Sequence, residues 1–100
     1  MSIDIKIHTY MEPCEVGDGH GFRSIVSPEP DIYLLVSEVH HGAGPYRVDE
    51  TLVFPCDQSG EVLSFTELHG GRAMNTAEAI LDIERYWSRS SYDAVVRRST

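Results

Sequence analysis

Five histidines, two cysteines and sixteen carboxylates are the side chains of this 100-residue chain that could do chemistry, and their spacing decides which chemistry is open to them. The densest cluster is Cys14, Glu15, Asp18 and His20, with Cys56, His69 or His40-His41 as distant partners. A zinc site is normally opened by a short chelating pair such as CxxC, HxH or HExxH, and the chain has none of these. A solvated polar loop accounts for the cluster, so neither metal nor cofactor is expected. Asp57-Gln58-Ser59-Gly60-Glu61 lacks the alternating ligands and the length of a calcium loop, and a hairpin turn explains it. Gly17, Gly19 and Gly21 have neither phosphate-loop spacing nor a following helix start, and acids lie among them. His40-His41 beside a glycine turn reads as a wet strand end rather than a pH sensor.

Cysteine chemistry has one opening. Cys56 follows Pro55 at a strand end and His69 closes the next strand, so symmetric hairpin pairing brings a nucleophile near a base. A cysteine in that place is usually a small packed hydrophobe, and no segment marks an oxyanion hole. The chain is therefore expected not to be an enzyme. A small metal- or thiol-dependent enzyme using Cys14, Cys56 or His69 is the alternative.

Charge narrows the partners. The chain has sixteen acids against eight bases, a net charge of −8. Residues 1–67 carry twelve of the acids and three of the bases. Such a surface repels nucleic acid and anionic membrane, and basic patches with interleaved aromatics are absent. An acidic protein can instead imitate a phosphate backbone. The acids at 4, 12, 15, 18, 29, 31, 38, 49, 50, 57 and 61 would supply the charge, but their scatter gives no regular track. No apolar run approaches the length of a membrane span and no export signal opens the chain, so a cytoplasmic protein with reduced thiols is expected.

These side chains must be positioned by a single domain, 1–100. Residues 3–11 alternate, with Ile3, Ile5, Ile7, Thr9 and Met11 on one side, and predict a strand ended by Pro13. Residues 12–23 read as a glycine-rich loop, 24–26 as a short extended piece, and Ser27-Pro28-Glu29-Pro30 as a turn. Residues 31–41 fit either a helix or a central strand, and the strand is preferred because the strands that follow need a neighbour. After a loop at 42–45, strand 46–55, a turn at 57–60 and strand 62–67 form a hairpin. A helix starts at Asn75, whose side chain caps it with Glu78 three residues on. Its apolar stripe is Ala79, Ile80, Ile83, Tyr86 and Trp87, and Ser90-Ser91 interrupts it before a last turn through Tyr92, Val95 and Val96. The fold class is α+β: a single-layer, mostly antiparallel sheet of about four strands with one principal C-terminal helix on one face.

One helix covers one sheet face, yet three of these strands are apolar on both. Tyr33, Leu35, Val39, Val53 and Val62 would line the uncovered face, and burying them needs the loops or a second chain. Tyr33, Leu35, Val39 and Val53, with Tyr10 of the first strand, are the expected partner-binding residues. The expected partner is a protein, either a second copy in a homodimer or a host protein.

The run ETLVFPCDQSGEVLSFTEL before a capped helix, with YLLVSEV and HTYMEP upstream, resembles small uncharacterised accessory proteins of actinobacterial phages. The similarity spans residues 8–83. It carries over no functional residue. It implies a compact phage or prophage protein that acts by binding something in the cytoplasm of the bacterial host.

Overall fold

The computed structural model describes residues 6–16, 19–42, 45, 48–68 and 75–97, with side chains described from Gly21 onward apart from His41 and Val48. Four strands, β1 (Lys6–Val16), β2 (Gly19–Glu29), β3 (Ile32–His41) and β4 (Val48–Cys56), precede two helices, α1 (Thr76–Tyr86) and α2 (Arg89–Arg97). The sheet is an antiparallel meander in the order β1-β2-β3-β4. The α+β class is as expected, and 31–41 is a central strand rather than a helix.

The strands are not the four expected. Residues 12–23 are no loop: β1 runs on to Val16 and pairs with β2 from Val16↔Gly19 to Lys6↔Ser27. The glycines that suggested a loop serve the sheet. A Cβ on Gly21 would lie 2.2 Å from the backbone oxygen of Glu38 on β3, so only glycine fits that close approach. Pro13 does not end β1, because β1 is an edge strand and an edge position tolerates a missing N–H. Two register shifts, between Ile7 and Thr9 and between Thr9 and Glu12, bend the strand on the way. Ile3 and Ile5 lie outside the described residues.

The turn expected at residues 27–30 falls instead at Pro30-Asp31, with Ser27 and Pro28 still inside β2. Asp31 takes a positive φ of 65°, the sign that the second central residue has in a type II turn led by proline.

Residues 62–67 are not a strand. A tight turn is closed by Asp57 N–H donating to the Glu61 carbonyl at 2.9 Å, and after it the described residues form only one bridge, Cys56↔Val62. Pro55 has no N–H to continue a ladder. Its carbonyl accepts from Leu63 N–H at 2.8 Å, and the carbonyl of Val53 from Leu68 N–H at 2.9 Å. Between those contacts the chain turns on itself, Thr66 N–H donating to Ser64 Oγ. Segment 62–68 is thus an irregular strip along the outer edge of β4.

Both helices cover one sheet face. Val26, Leu34, Val36 and Val53 pack there with Leu68, Ala79, Ile83 and Tyr92, flanked by Ile80, Trp87, Val95 and Val96. Asn75 caps α1 as expected, its Oδ1 accepting from Glu78 N–H at 2.9 Å. The helix breaks at Trp87-Ser88, not at Ser90-Ser91, because Ser88 Oγ accepts from Ser91 N–H and starts α2. At the break, Trp87 Nε1–H donates to Glu29 at the end of β2, 2.7 Å away, fastening the helix pair to the sheet. Tyr86 does not join the apolar stripe; it is 65% exposed.

Candidate functional site

Antiparallel pairing of β3 with β4 sets Glu38 opposite Thr51 and His40 opposite Asp49, all on the face that the helices cover. The His40 ring lies between two carboxylates. Its Nδ1 is 2.7 Å from Asp49 Oδ1 and its Nε2 is 2.7 Å from Glu38 Oε2. The other oxygen of Glu38 accepts from Thr76 N–H at 2.6 Å, at the first turn of α1, where backbone N–H groups lack helical partners. One carboxylate therefore ties the start of the helix to the imidazole on the sheet.

Two acceptors on one ring favour the form with two N–H donors. The bonds to Glu38, then Asp49, hold the His40 pKa above its ordinary 6.5 against the opposing effect of burial. For Glu38, burial pushes the carboxyl up, but the hydrogen bonds from His40 and Thr76 together outweigh it and its pKa lies below the ordinary value. The cluster is an ion triad. The imidazole separates the carboxylates, so the three side chains do not converge on a common point, and among the described residues no group of His, Cys, Asp or Glu is arranged to hold a metal. One buried hydroxyl borders it without a hydrogen-bond partner among the described atoms: Thr51 Oγ1, on the residue across from Glu38. The triad can join helix to sheet and sense protons. It holds no nucleophile.

Cys56 is buried beside Ile25 and Leu35 on the opposite sheet face. Burial first, then the charge of Asp57, pushes its thiol up to about 12. A thiol that stays protonated makes a packing residue, not a nucleophile. His69 and Asp18 lie outside the described residues, as do the side chains of Cys14, Glu15 and His20.

The chain matches no family model, no curated protein and no solved structure. Its function must be read from its own surface.

The residues expected to bind a partner separate into three groups. Val53 does not belong on the second face. Alternation from the β3–β4 register turns it toward the helices, where it is 6% exposed in the main core. Tyr33, Leu35 and Val39 do share the second face, but Leu35 is only 7% and Val39 only 8% exposed. The turn at 57–61 folds back over that face; a Cβ at Gly60 would sit 3.1 Å from Ile25 Cδ1. Val62 and Tyr33 pack around Ile25, Leu35 and Cys56, closing a second small core. The chain's own turn therefore shields the part of that face around Ile25, Leu35 and Cys56. Tyr10 lies in β1, with its side chain outside the described set.

What remains uncovered was not singled out in the sequence. Phe65 is 82% exposed, and its ring meets that of half-buried Phe54 edge-on, with centroids 6.0 Å apart. Leu63, two residues earlier, is also exposed, and Leu52 is half-buried beside Phe54 on the same strand face. Phe65 and Phe54 form an apolar ridge where the second face meets the β4 edge, with exposed Leu63 and half-buried Leu52 close to them along the chain. The signal in the sequence was Pro55: a strand hydrogen-bonded to it cannot complete its ladder, so the apolar side chains that follow need not turn inward.

Proposed function

We propose that this protein is a non-enzymatic interaction module that docks a protein partner, a second copy or a host protein, on the ridge of Phe65 and Phe54. The phage or prophage setting implied by the sequence resemblance is part of this reading. The observation that carries it is Phe65, at 82% the most exposed of the large apolar side chains among the described residues. An aromatic ring with its base supported by a second ring has the form of an interface anchor: it meets a partner at small entropic cost.

The edges of the sheet support docking by side chains over strand addition. The β4 edge already has two carbonyls capped by Leu63 and Leu68, and β1 is bent by two register shifts. The thiol alternative loses Cys56, which is buried and protonated. The DNA-mimic alternative loses acids from its track: Glu38 and Asp49 are committed to His40, and Glu29 to Trp87 and Arg89.

The test is affinity capture from bacterial lysate with the wild type, Phe65→Glu and Tyr86→Glu. Tyr86 is the matched control, an exposed aromatic on α1 away from the ridge. Proteins retained by wild type and Tyr86→Glu but lost from Phe65→Glu support the reading. Identical sets from all three variants contradict it.

A further inference from the structure

The two sides of the ion triad are not equal, and their difference fixes what happens when its proton leaves. His40 is the bridge, with Nε2 2.7 Å from Glu38 Oε2 and Nδ1 2.7 Å from Asp49 Oδ1. A ring that faces an acceptor at each nitrogen needs two N–H groups, and a neutral imidazole has one. Without the second proton, a ring lone pair would face a carboxylate oxygen at a distance that only a hydrogen bond sustains. One of the two contacts has to open.

Three observations decide which. Glu38 is the deeper acid, its side chain 10% exposed against 27% for Asp49, so water replaces the ring at Asp49 with the smaller loss. Glu38 is also pinned from behind, its Oε1 accepting from Thr76 N–H at 2.6 Å. That N–H belongs to the first turn of α1, whose positive end favours an anion. Asp49 instead lies at the start of β4, with the pair His41↔Val48 beyond it at the strand end. The charged groups that act on the ring are Glu38, on its own strand, and Asp49, on β4. From α1 the group that reaches the cluster is the Thr76 N–H, and on β2 the residue in register is His20, whose side chain lies outside the described set.

We propose that the triad is a one-sided proton latch: loss of the Nδ1 proton of His40 to water releases Asp49 and leaves Glu38 joined to both the ring and α1. The neutral ring is then the Nε2–H tautomer. The end of the β3–β4 pair loosens as pH rises, while the start of α1 stays fastened to the sheet. The bonds to Glu38 and Asp49 hold the His40 pKa up, which puts the step above pH 6.5. This device is independent of docking at the ridge.

An NMR titration of the intact chain tests it. The ring nitrogen shifts of His40 read the tautomer, and the Asp49 carboxyl carbon and Thr76 amide shifts read the two sides of the latch. Above the step, Nε2 should keep its proton and Nδ1 should be bare. The Asp49 carboxyl should follow the His40 midpoint, and the Thr76 amide should hold its position. Asp49→Asn should lower the midpoint and keep the tautomer. Glu38→Gln should lower it further, because Glu38 makes the larger contribution, and should reverse the tautomer to Nδ1–H, since its amide can donate to Nε2 while its oxygen keeps Thr76. If Glu38→Gln does not fold, the wild-type tautomer and Asp49→Asn decide. An Nδ1–H tautomer in the wild type, or an even mixture, would overturn the proposal. So would a ring that stays doubly protonated until the chain unfolds in alkali.

Discussion

Replacing His40 with glutamine should produce a stability loss that depends on pH in a direction fixed by the ion triad. Glutamine fills similar space and can donate a hydrogen bond, but it cannot place a positive charge between Glu38 and Asp49. Removing one member of a buried ion cluster costs about 3–5 kcal/mol, and a solvent-screened surface pair is worth under about 1 kcal/mol. The His40 side chain is 17% exposed near the end of the sheet, so the loss should lie between these limits, at about 2 kcal/mol. For a domain of this size that corresponds to a fall in Tm of about 8–16 °C. The folded pKa of His40 is raised, so its contribution is complete below 6.5 and is lost as pH rises through the folded value. The folded pKa of Glu38 is lowered, so its contribution is complete above 4.5 and is lost as pH falls through the folded value. Wild-type stability from this cluster should therefore be greatest between pH 4.5 and 6.5. The gap to His40→Gln should be widest there and narrow in alkaline buffer. Urea unfolding at a series of pH values, read by the single tryptophan, Trp87, measures it. A gap of constant size across the pH range would mean that ring shape, not charge, holds the site, and the reasoning would fail.

Thr51→Val removes a buried hydroxyl that has no described partner at nearly constant volume; it should stabilise the fold by about 1 kcal/mol in the same urea assay, and an equal loss would show that the hydroxyl is satisfied. Gly21→Ala must push β2 away from the Glu38 carbonyl and should cost about 1–3 kcal/mol; an unchanged midpoint would refute the close approach. In a Cys14→Ser background, Cys56 should resist a thiol reagent until urea unfolds the chain, and rapid labelling of folded protein would contradict its burial.

The class of the fold was legible because the strand pattern over 46–55 and the Asn75 cap are local signals, each honoured locally, and 31–41 joined the sheet because the strands after it need a neighbour. The β1–β2 hairpin was not, because Gly21 and Pro13 have opposite meanings in a loop and in a strand. Which meaning applies depends on a neighbour, β3, and on edge position, and neither is visible in a window of residues. The error at 62–67 has the same origin. Val62–Glu67 reads as a strand until Pro55 is seen to offer it no donor. The ion triad was within reach: a hairpin with its midpoint between 44 and 45 sets His40 against Asp49 and turns Glu38 to the same face. Treating His40-His41 as a strand end hid that. The expected partner face failed on Val53, since β3 and β4 share faces by register rather than by number, and on a turn at 57–61 that proved a better lid than its composition suggested. The apolar count foretold a second face in need of cover; packing against Val62 and the 57–61 turn supplies cover around Ile25, Leu35 and Cys56, and leaves Phe65 outside it.

Binding and folding separate at Phe65, and that separation is the most direct test. In Phe65→Ala the fold loses one edge-on ring contact, worth about 0.5–1.5 kcal/mol, because the ring buries little else. The decisive measurement is the affinity of this variant for a protein captured by the wild type, under conditions where both are fully folded. A loss of about tenfold or more is predicted. Undiminished affinity would contradict the account and leave Phe65 as surface without a role in docking.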